Sequence, residues 1–320
     1  MNSKKTLIVS HAPFWHDGSG IPERSYHTII AALPAAIAGI AYYGAPALGV
    51  ICMAMSTAIL WELLLNRAMR RPITVGDGNA ALIGLLLGMM LPASTPWWVV
   101  LVGTFLAIVI GMQIFGGIGA NPFNPVVLAI AILMISYKGH LDFDAGLVNF
   151  SLDFPTTSEP LAALKAFGPA AVEHLHPLDL LMGRQVGGLG SANGLALVIG
   201  GIYLMIRGII RWEVCVSFIV GTYITAMLFN MADPSRFADP VFHLLTGYTL
   251  FGAFFLATES TTSPVNFVPM LIYGTLGGVM TVLIRNIGIY VDGVIFAILL
   301  INLINPLVDK IRPKAIGKVA

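Results

Sequence analysis

Apolar runs recur along the entire chain, at 26–44, 46–66, 79–92, 96–116, 122–137, 193–209, 213–231, 241–257, 267–285 and 291–308. No other feature restricts the fold as much. A hydrocarbon core takes ~20 apolar residues per helix and admits only structures that satisfy their own backbone. The runs therefore describe an all-α polytopic membrane protein with about ten transmembrane helices. Charge content agrees: 17 basic and 16 acidic residues stand among 320, where a soluble domain of this length would carry about 80 charges. A soluble α/β enzyme is thereby disfavoured. The formal charge of +1 also argues against an electrostatic nucleic-acid binder, so the bilayer is the expected partner and nucleic acid is not. Cys52 and Cys215 lie within apolar runs without ligand spacing to other Cys or His, which leaves no metal or disulfide framework to propose. The polar first 25 residues lack the apolar core of a signal peptide.

An even number of spans puts both termini on one side. Lys4, Lys5, Arg24, Arg67, Arg70, Arg71, Arg207, Arg211, Lys310, Arg312, Lys314 and Lys318 share that side, against Lys138, Lys165, Arg184, Arg236 and Arg285 on the other. Basic residues are retained inside, so both termini are expected in the cytoplasm. The chain then divides into an N-terminal arm (1–25), five spans (26–137), an extracytoplasmic connection (138–192), five more spans (193–308) and a basic tail (309–320). An odd number of spans per half inverts one half relative to the other. Such a 5+5 inverted repeat with broken helices builds its sites near the membrane midplane. Local echoes support the repeat. Leu91-Pro92-Ala93-Ser94-Thr95-Pro96 closes the third span and Ala257-Thr258-Glu259-Ser260-Thr261-Thr262-Ser263-Pro264 the eighth, while Asn121-Pro122-Phe123-Asn124-Pro125 in the fifth has a counterpart in Asn302-Leu303-Ile304-Asn305-Pro306 of the tenth.

Polar residues at these breaks have two readings. Asn121, Asn124, Asn302 and Asn305 stand next to or near proline, where an amide can satisfy backbone groups that proline frees; this structural reading leads for each taken singly. Recurrence in both halves favours the other, a polar lining for an ion or a flavin. Acidic residues at membrane depth are costly, which marks Glu62, Asp77, Glu259 and Asp292. Each lies near a span end, where capping or surface exposure is an equal explanation, and Asp77-Gly78-Asn79 has the form of a helix start. His243 is expected to be hydrogen-bonded in the core. Phe115-Gly116-Gly117-Ile118-Gly119-Ala120-Asn121 lacks the strand and the Lys-Ser/Thr of a phosphate loop, so close packing or a re-entrant turn is expected there.

Five ordered segments together resemble the RnfD/NqrB family of membrane subunits, over almost the whole chain. They are Asp77-Gly78-Asn79-Ala80 through Leu91-Pro92, then Pro96-Trp97-Trp98, then Phe115 through Pro125, then Ala257 through Pro264, and Gly293-Val294-Ile295-Phe296 through Asn302 into Asn305-Pro306-Leu307. Length and the short N-terminal arm resemble RnfD more than NqrB. The resemblance implies a ten-helix inverted repeat similar to urea transporters. It also implies a bacterial inner-membrane subunit that passes electrons through flavin inside a multi-subunit pump, with other Rnf-type subunits handling ferredoxin and NAD⁺ and with Na⁺ or H⁺ as the coupled ion. Such a chain is part of an oxidoreductase and is not catalytic alone; its catalytic residues are not identified by the resemblance.

The family carries FMN as a phosphoester on the last Thr of a Ser/Thr-Gly-Ala-Thr motif, installed by a flavin transferase, and the related quinone reductase also holds noncovalent riboflavin. Here the sequence departs from the pattern, because Asp153-Phe154-Pro155-Thr156-Thr157-Ser158-Glu159-Pro160-Leu161 puts Glu159 at the acceptor position. A carboxylate cannot form that ester. Either Thr156 or Thr157 takes over, or covalent FMN has been lost, and loss is the expectation. Arg184, in the glycine-rich run that follows, suits a flavin phosphate as well as it suits an ordinary solvated loop. Two readings stand beside the electron-transfer one: a non-redox inverted-repeat transporter or channel, and a structural subunit without covalent FMN.

Overall fold

The computed structural model describes residues 20–144 and 158–311, and the regular elements among the described residues are all helical, with no strand. The first half holds α1 (Ile21–Tyr43), α2 (Ala45–Ala68), α3 (Asn79–Met90), α4 (Trp97–Phe105) and α5 (Pro125–Ser136). The connection contributes α6 (Pro160–Phe167) and α7 (Pro177–Leu181). The second half holds α8 (Gly194–Ile206), α9 (Trp212–Ala232), α10 (Pro240–Leu245), α11 (Thr249–Phe251), α12 (Phe267–Ile287) and α13 (Val294–Val308). A π-turn at Leu106–Ile110 continues α4, and another at Gly252–Leu256 continues α11.

Five helical segments, 21–43, 45–68, 97–115, 212–232 and 267–287, are long and apolar enough to cross a bilayer. The protein is thus a multi-pass membrane protein. The helices α3, α5, α8 and α13 are shorter apolar rods. The 12 residues of α3 rise ~18 Å at 1.5 Å each, too little for a ~30 Å core, so α3 stops inside the membrane as a partial helix. The run at 241–257 is broken outright between α10 and α11. Packing recurs between the halves: α2 rests on α3 and α4, and α9 on α10 and α12. Helix α1 meets α8 and α5 meets α13, which ties one half to the other.

Water drives no association between helices in lipid, so close approach of small residues carries it. On α12 the glycines Gly274, Gly277 and Gly278 face Val214, Ser217, Phe218 and Gly221 of α9, with α9 backbone atoms close to Gly274 and Gly278. A Cβ at Gly278 would lie 2.5 Å from the Thr222 nitrogen and 2.9 Å from the Gly221 carbonyl carbon. Gly278→Ala is therefore expected to destabilise by about 1–3 kcal/mol through overpacking. Thermal unfolding in detergent checks this, and an unchanged midpoint would show that the pair has slack.

Candidate functional site

Three of the sequence-marked residues, Asn121, Asn124 and Glu259, gather at one end of the bundle around a cleft enclosing about 930 Å³ with its mouth included. Its walls include Arg24 of α1, Asn79 at the start of α3, Asn121 and Asn124 before α5, and Thr258 and Glu259 after the second π-turn, with Leu82, Ile83 and Phe254 as apolar floor. Asn124 caps α5: its Oδ1 accepts from Val126 N at 2.9 Å and Val127 N at 3.2 Å, and its Nδ2 donates to Leu256 O at 3.0 Å. One side chain thus closes both a helix start and the end of the facing π-turn. Asn121 donates to Phe123 O at 3.1 Å and to Glu259 Oε1 at 3.0 Å, while Glu259 Oε2 accepts from Thr262 Oγ1 at 3.1 Å. The N-terminal ends of α3 and α5 both open on this cleft, where the helix dipole favours electron-rich groups.

Asn302 and Asn305 stand behind this lining instead of within it. Asn305 Nδ2 donates to Thr262 O at 2.8 Å, and Asn302 Oδ1 accepts from Tyr273 Oη at 2.6 Å. The idea that each asparagine repairs backbone beside proline therefore holds for Asn121, Asn124 and Asn305 but not for Asn302, whose partner is a phenol. Asn302 Nδ2 and Asn305 Oδ1 remain buried without a partner among the described residues. Asp77 stays outside the cleft and caps α3, its Oδ1 accepting from Asn79 N at 2.9 Å. Glu62 forms a separate buried cluster, accepting from Thr74 Oγ1 at 2.7 Å. The glycine run at 115–121 forms a turn with Gly116, Gly117 and Gly119 at positive φ, as expected for a re-entrant connection.

The other end of α3 points at the break between α10 and α11. Tyr248 Oη donates to Met90 O at 2.8 Å, and the amides of Gly190 and Leu189 donate to Met89 O and Leu91 O at 2.9 and 3.1 Å. The connection's glycine-rich run thereby finishes a helix that ends inside the protein. At the break, Gly247 takes φ +64°, and a Cβ there would collide with Asp292 and Arg285. Arg285 NH1 donates to His243 O at 2.7 Å and NH2 to Thr246 O at 3.2 Å, which satisfies carbonyls freed at the end of α10. Asp292 pairs with Arg285 at 2.9 Å and accepts from Tyr248 N at 2.6 Å and Val294 N at 3.0 Å, so it starts both α11 and α13. The sequence marked Asp292 alone and passed over Arg285; a basic and an acidic residue seven positions apart across a span end was the available signal. His243 overturns its expectation, because the ring is buried and both nitrogens lack a partner among the described residues: its neighbour Arg285 is a donor already directed to carbonyls.

Arg184 is exposed and paired with Asp179 at 3.2 Å, the ordinary solvated arrangement. Thr156 and Thr157 lie outside the described residues. Glu159 stands directly before α6, facing the α10–α11 break across a narrow cavity that Tyr248 and Asp292 also line. Loss of solvent, then the charges of Asp292 and Asp144, push its carboxyl up to about 8.

Comparison with known proteins matches residues 8–317 to the NQR2, RnfD, RnfE family. Among curated relatives, the D component of the Na⁺-translocating ferredoxin:NAD⁺ oxidoreductase complex of Acetobacterium woodii is 35% identical over 313 residues, covering 97% of this chain and 95% of the relative. The D component of the proton-translocating ferredoxin:NAD⁺ oxidoreductase complex of Clostridium ljungdahlii is 33% identical, covering 96% and 95%. The corresponding component of the ion-translocating oxidoreductase complex of Halorhodospira halophila is 32% identical, covering 93% and 92%.

Proposed function

Because the chain belongs to the NQR2, RnfD, RnfE family, we propose that it is the RnfD-type membrane subunit of a bacterial ion-translocating oxidoreductase complex, coupling electron flow between ferredoxin and NAD⁺ to movement of Na⁺ or H⁺. The observation that carries this is end-to-end similarity to components of such complexes, on a frame whose partial helices converge on a polar cleft. Its partners are the other subunits of the complex and the inner-membrane bilayer. With both termini in the cytoplasm, the Asn121–Glu259 cleft faces the cytoplasm and Glu159 faces out. The halves on either side of the 138–192 connection act as the two repeats, and their cross-contacts α1–α8 and α5–α13 are where one would move against the other.

The cleft has the character of a site for a noncovalent flavin of the riboflavin type, or for the transported ion. Asn79, Asn121 and Glu259 offer polar groups in its lining, and Leu82, Ile83 and Phe254 offer apolar contact. A bound flavin would supply one- and two-electron chemistry there. The chain's own part is orientation: Asn121 and Thr262 hold the Glu259 carboxylate, and Asn124 fixes the α5 start against the π-turn. Covalent FMN does not fit position 159, where a carboxylate replaces the hydroxyl and further carboxylates surround it.

Deletion of this subunit from the assembled complex tests the proposal. Ferredoxin- or NADH-linked electron flow in membranes is expected to be lost, and unchanged flow would overturn it. Flux of a small polar solute through liposomes holding this chain alone would support a transporter instead.

A further inference from the structure

Glu159 carries chemistry that nothing above uses. Its amide donates to Asp144 Oδ1 at 2.7 Å, and its side chain is partly buried against Pro160, Gln185, Gly247, Tyr248 and Asp292. The Gln185–Ala192 run that lines the same cavity brings no ionisable group, but other elements around Glu159 do. Asp142 and Asp144 follow α5, Asp292 lies between α12 and α13, and Arg285 comes from α12. Tyr43 comes from α1 and Tyr248 from the break. One guanidinium therefore serves a neighbourhood of four carboxylates.

That guanidinium is committed. Nε and NH2 of Arg285 donate to Asp292 Oδ1 at 3.1 and 2.9 Å, NH1 to His243 O at 2.7 Å, and NH2 also to Thr249 Oγ1 at 2.8 Å. Lys165 of α6 is committed too, its ammonium donating to Gly288 O at 2.6 Å and Tyr290 O at 2.5 Å. Among the described residues the Glu159 carboxylate has no cation within ion-pair distance. An ionised Glu159 would be a surplus negative charge beside three other carboxylates, with no side-chain donor among the described residues to offset it, and partial burial of such a charge is relieved by taking up a proton.

We propose that Glu159 is a proton-binding site: a carboxyl that is protonated at neutral pH and exchanges its proton with water at the outward end of the membrane domain. In release, the O–H bond breaks, the proton passes to water and a carboxylate remains; no electron moves. The carboxyl adjoins the Arg285–Asp292 pair that holds the α10–α11 break, so its charge state and the position of the break influence each other. This coupling to ion movement and the outward placement rest on the reading proposed above; the bound proton does not. The value of about 8 agrees with the bookkeeping of donors. The folded state binds this proton more tightly than the unfolded state, so the stabilisation is complete below the ordinary carboxylate range and is lost as pH rises through about 8.

The test is infrared titration of the assembled complex with ¹³C-labelled glutamate in this chain. A protonated glutamate carbonyl band is expected at neutral pH, disappearing with a midpoint near 8 and missing from Glu159→Gln. Glu159→Asp is the second variant, since it removes the labelled signal while keeping a carboxyl; Glu259→Gln identifies any band from the cleft. Absence of a band that responds to Glu159→Gln or Glu159→Asp would overturn the proposal. Should neither variant fold, a wild-type spectrum without a glutamate titrating near 8 overturns it alone. Electron flow that needs this chain, found together with an ionised Glu159, removes this inference and leaves the function; the reverse pair of results removes the function and leaves the proton site.

Discussion

Asp292→Ala is expected to cost about 3–5 kcal/mol, enough to prevent recovery of folded protein from membranes, because it leaves a buried cation without its partner. The side chains of Arg285 and Asp292 are only 2% and 5% exposed, so solvent does not screen the loss. The backbone would suffer as well. Tyr248 N and Val294 N each lose their acceptor, and these amides begin α11 and α13. Asp292→Asn separates the two effects, since an amide oxygen still accepts from the backbone while the charge is gone. Replacing both partners, Arg285→Met with Asp292→Leu, should recover the part of the loss due to the unpaired charge. It should not recover everything, because His243 O and Thr246 O also depend on Arg285. Thermal unfolding of the four proteins in detergent gives the comparison. Full recovery in the double variant would mean that the pair only neutralises itself and does not hold the break.

The frame was legible because membrane helices are written in continuous apolar runs, and a helix in lipid has no alternative way to satisfy its backbone. The short spans at 79–92 and 122–137 were legible for the same reason, since polar and proline residues edge both; the first starts at Asn79 as read, and the second at Pro125, three residues inside the run. The break at Gly247 was not legible. Thr246-Gly247-Tyr248 is mild in hydropathy, and what opens the helix there is Arg285 and Asp292, about 40 residues downstream and outside any local window. At the cleft the sequence named Asn121 and Asn124 through their place beside proline and Glu259 through cost at membrane depth, and the structure brings them together. For Asp77 the helix-start form of Asp77-Gly78-Asn79 already offered capping as its use, and the carboxylate does accept from the first amide of α3. The sequence could not show that Asn302 and Asn305 sit one layer behind, since their partners Tyr273 and Thr262 come from another helix and turn. Local chemistry identified which residues were expensive. Only packing decided what each was used for.

The chain co-expressed with a flavin transferase, then denatured and run on a gel, is expected to be dark and to keep its unmodified mass. Ester formation needs an alcohol oxygen on the protein to bond to the FMN phosphorus, and Glu159 supplies a carboxylate, whose phosphoryl product would be a mixed anhydride that water cleaves. Charge opposes the group further. Two unit charges 4 Å apart at an effective dielectric constant of 20 repel by about 4 kcal/mol, and the phosphate would approach Asp292, Asp144 and Asp142 together. The guanidinium nearest to hand, Arg285, has its donors engaged, and Arg184 is drawn to Asp179 at 3.2 Å. Helix α6 opens with Pro160, so its first position offers no amide to an anion. Intact mass and in-gel fluorescence decide the matter. A fluorescent band with an FMN-sized increase, mapped to Thr156 or Thr157, would show that the attachment point has moved along the chain and would return this protein to the covalent flavin path. A dark band rules out covalent FMN on this chain, leaving a noncovalent flavin, a structural role in the complex or the transporter reading to be separated next, and it leaves position 159 free to hold a proton.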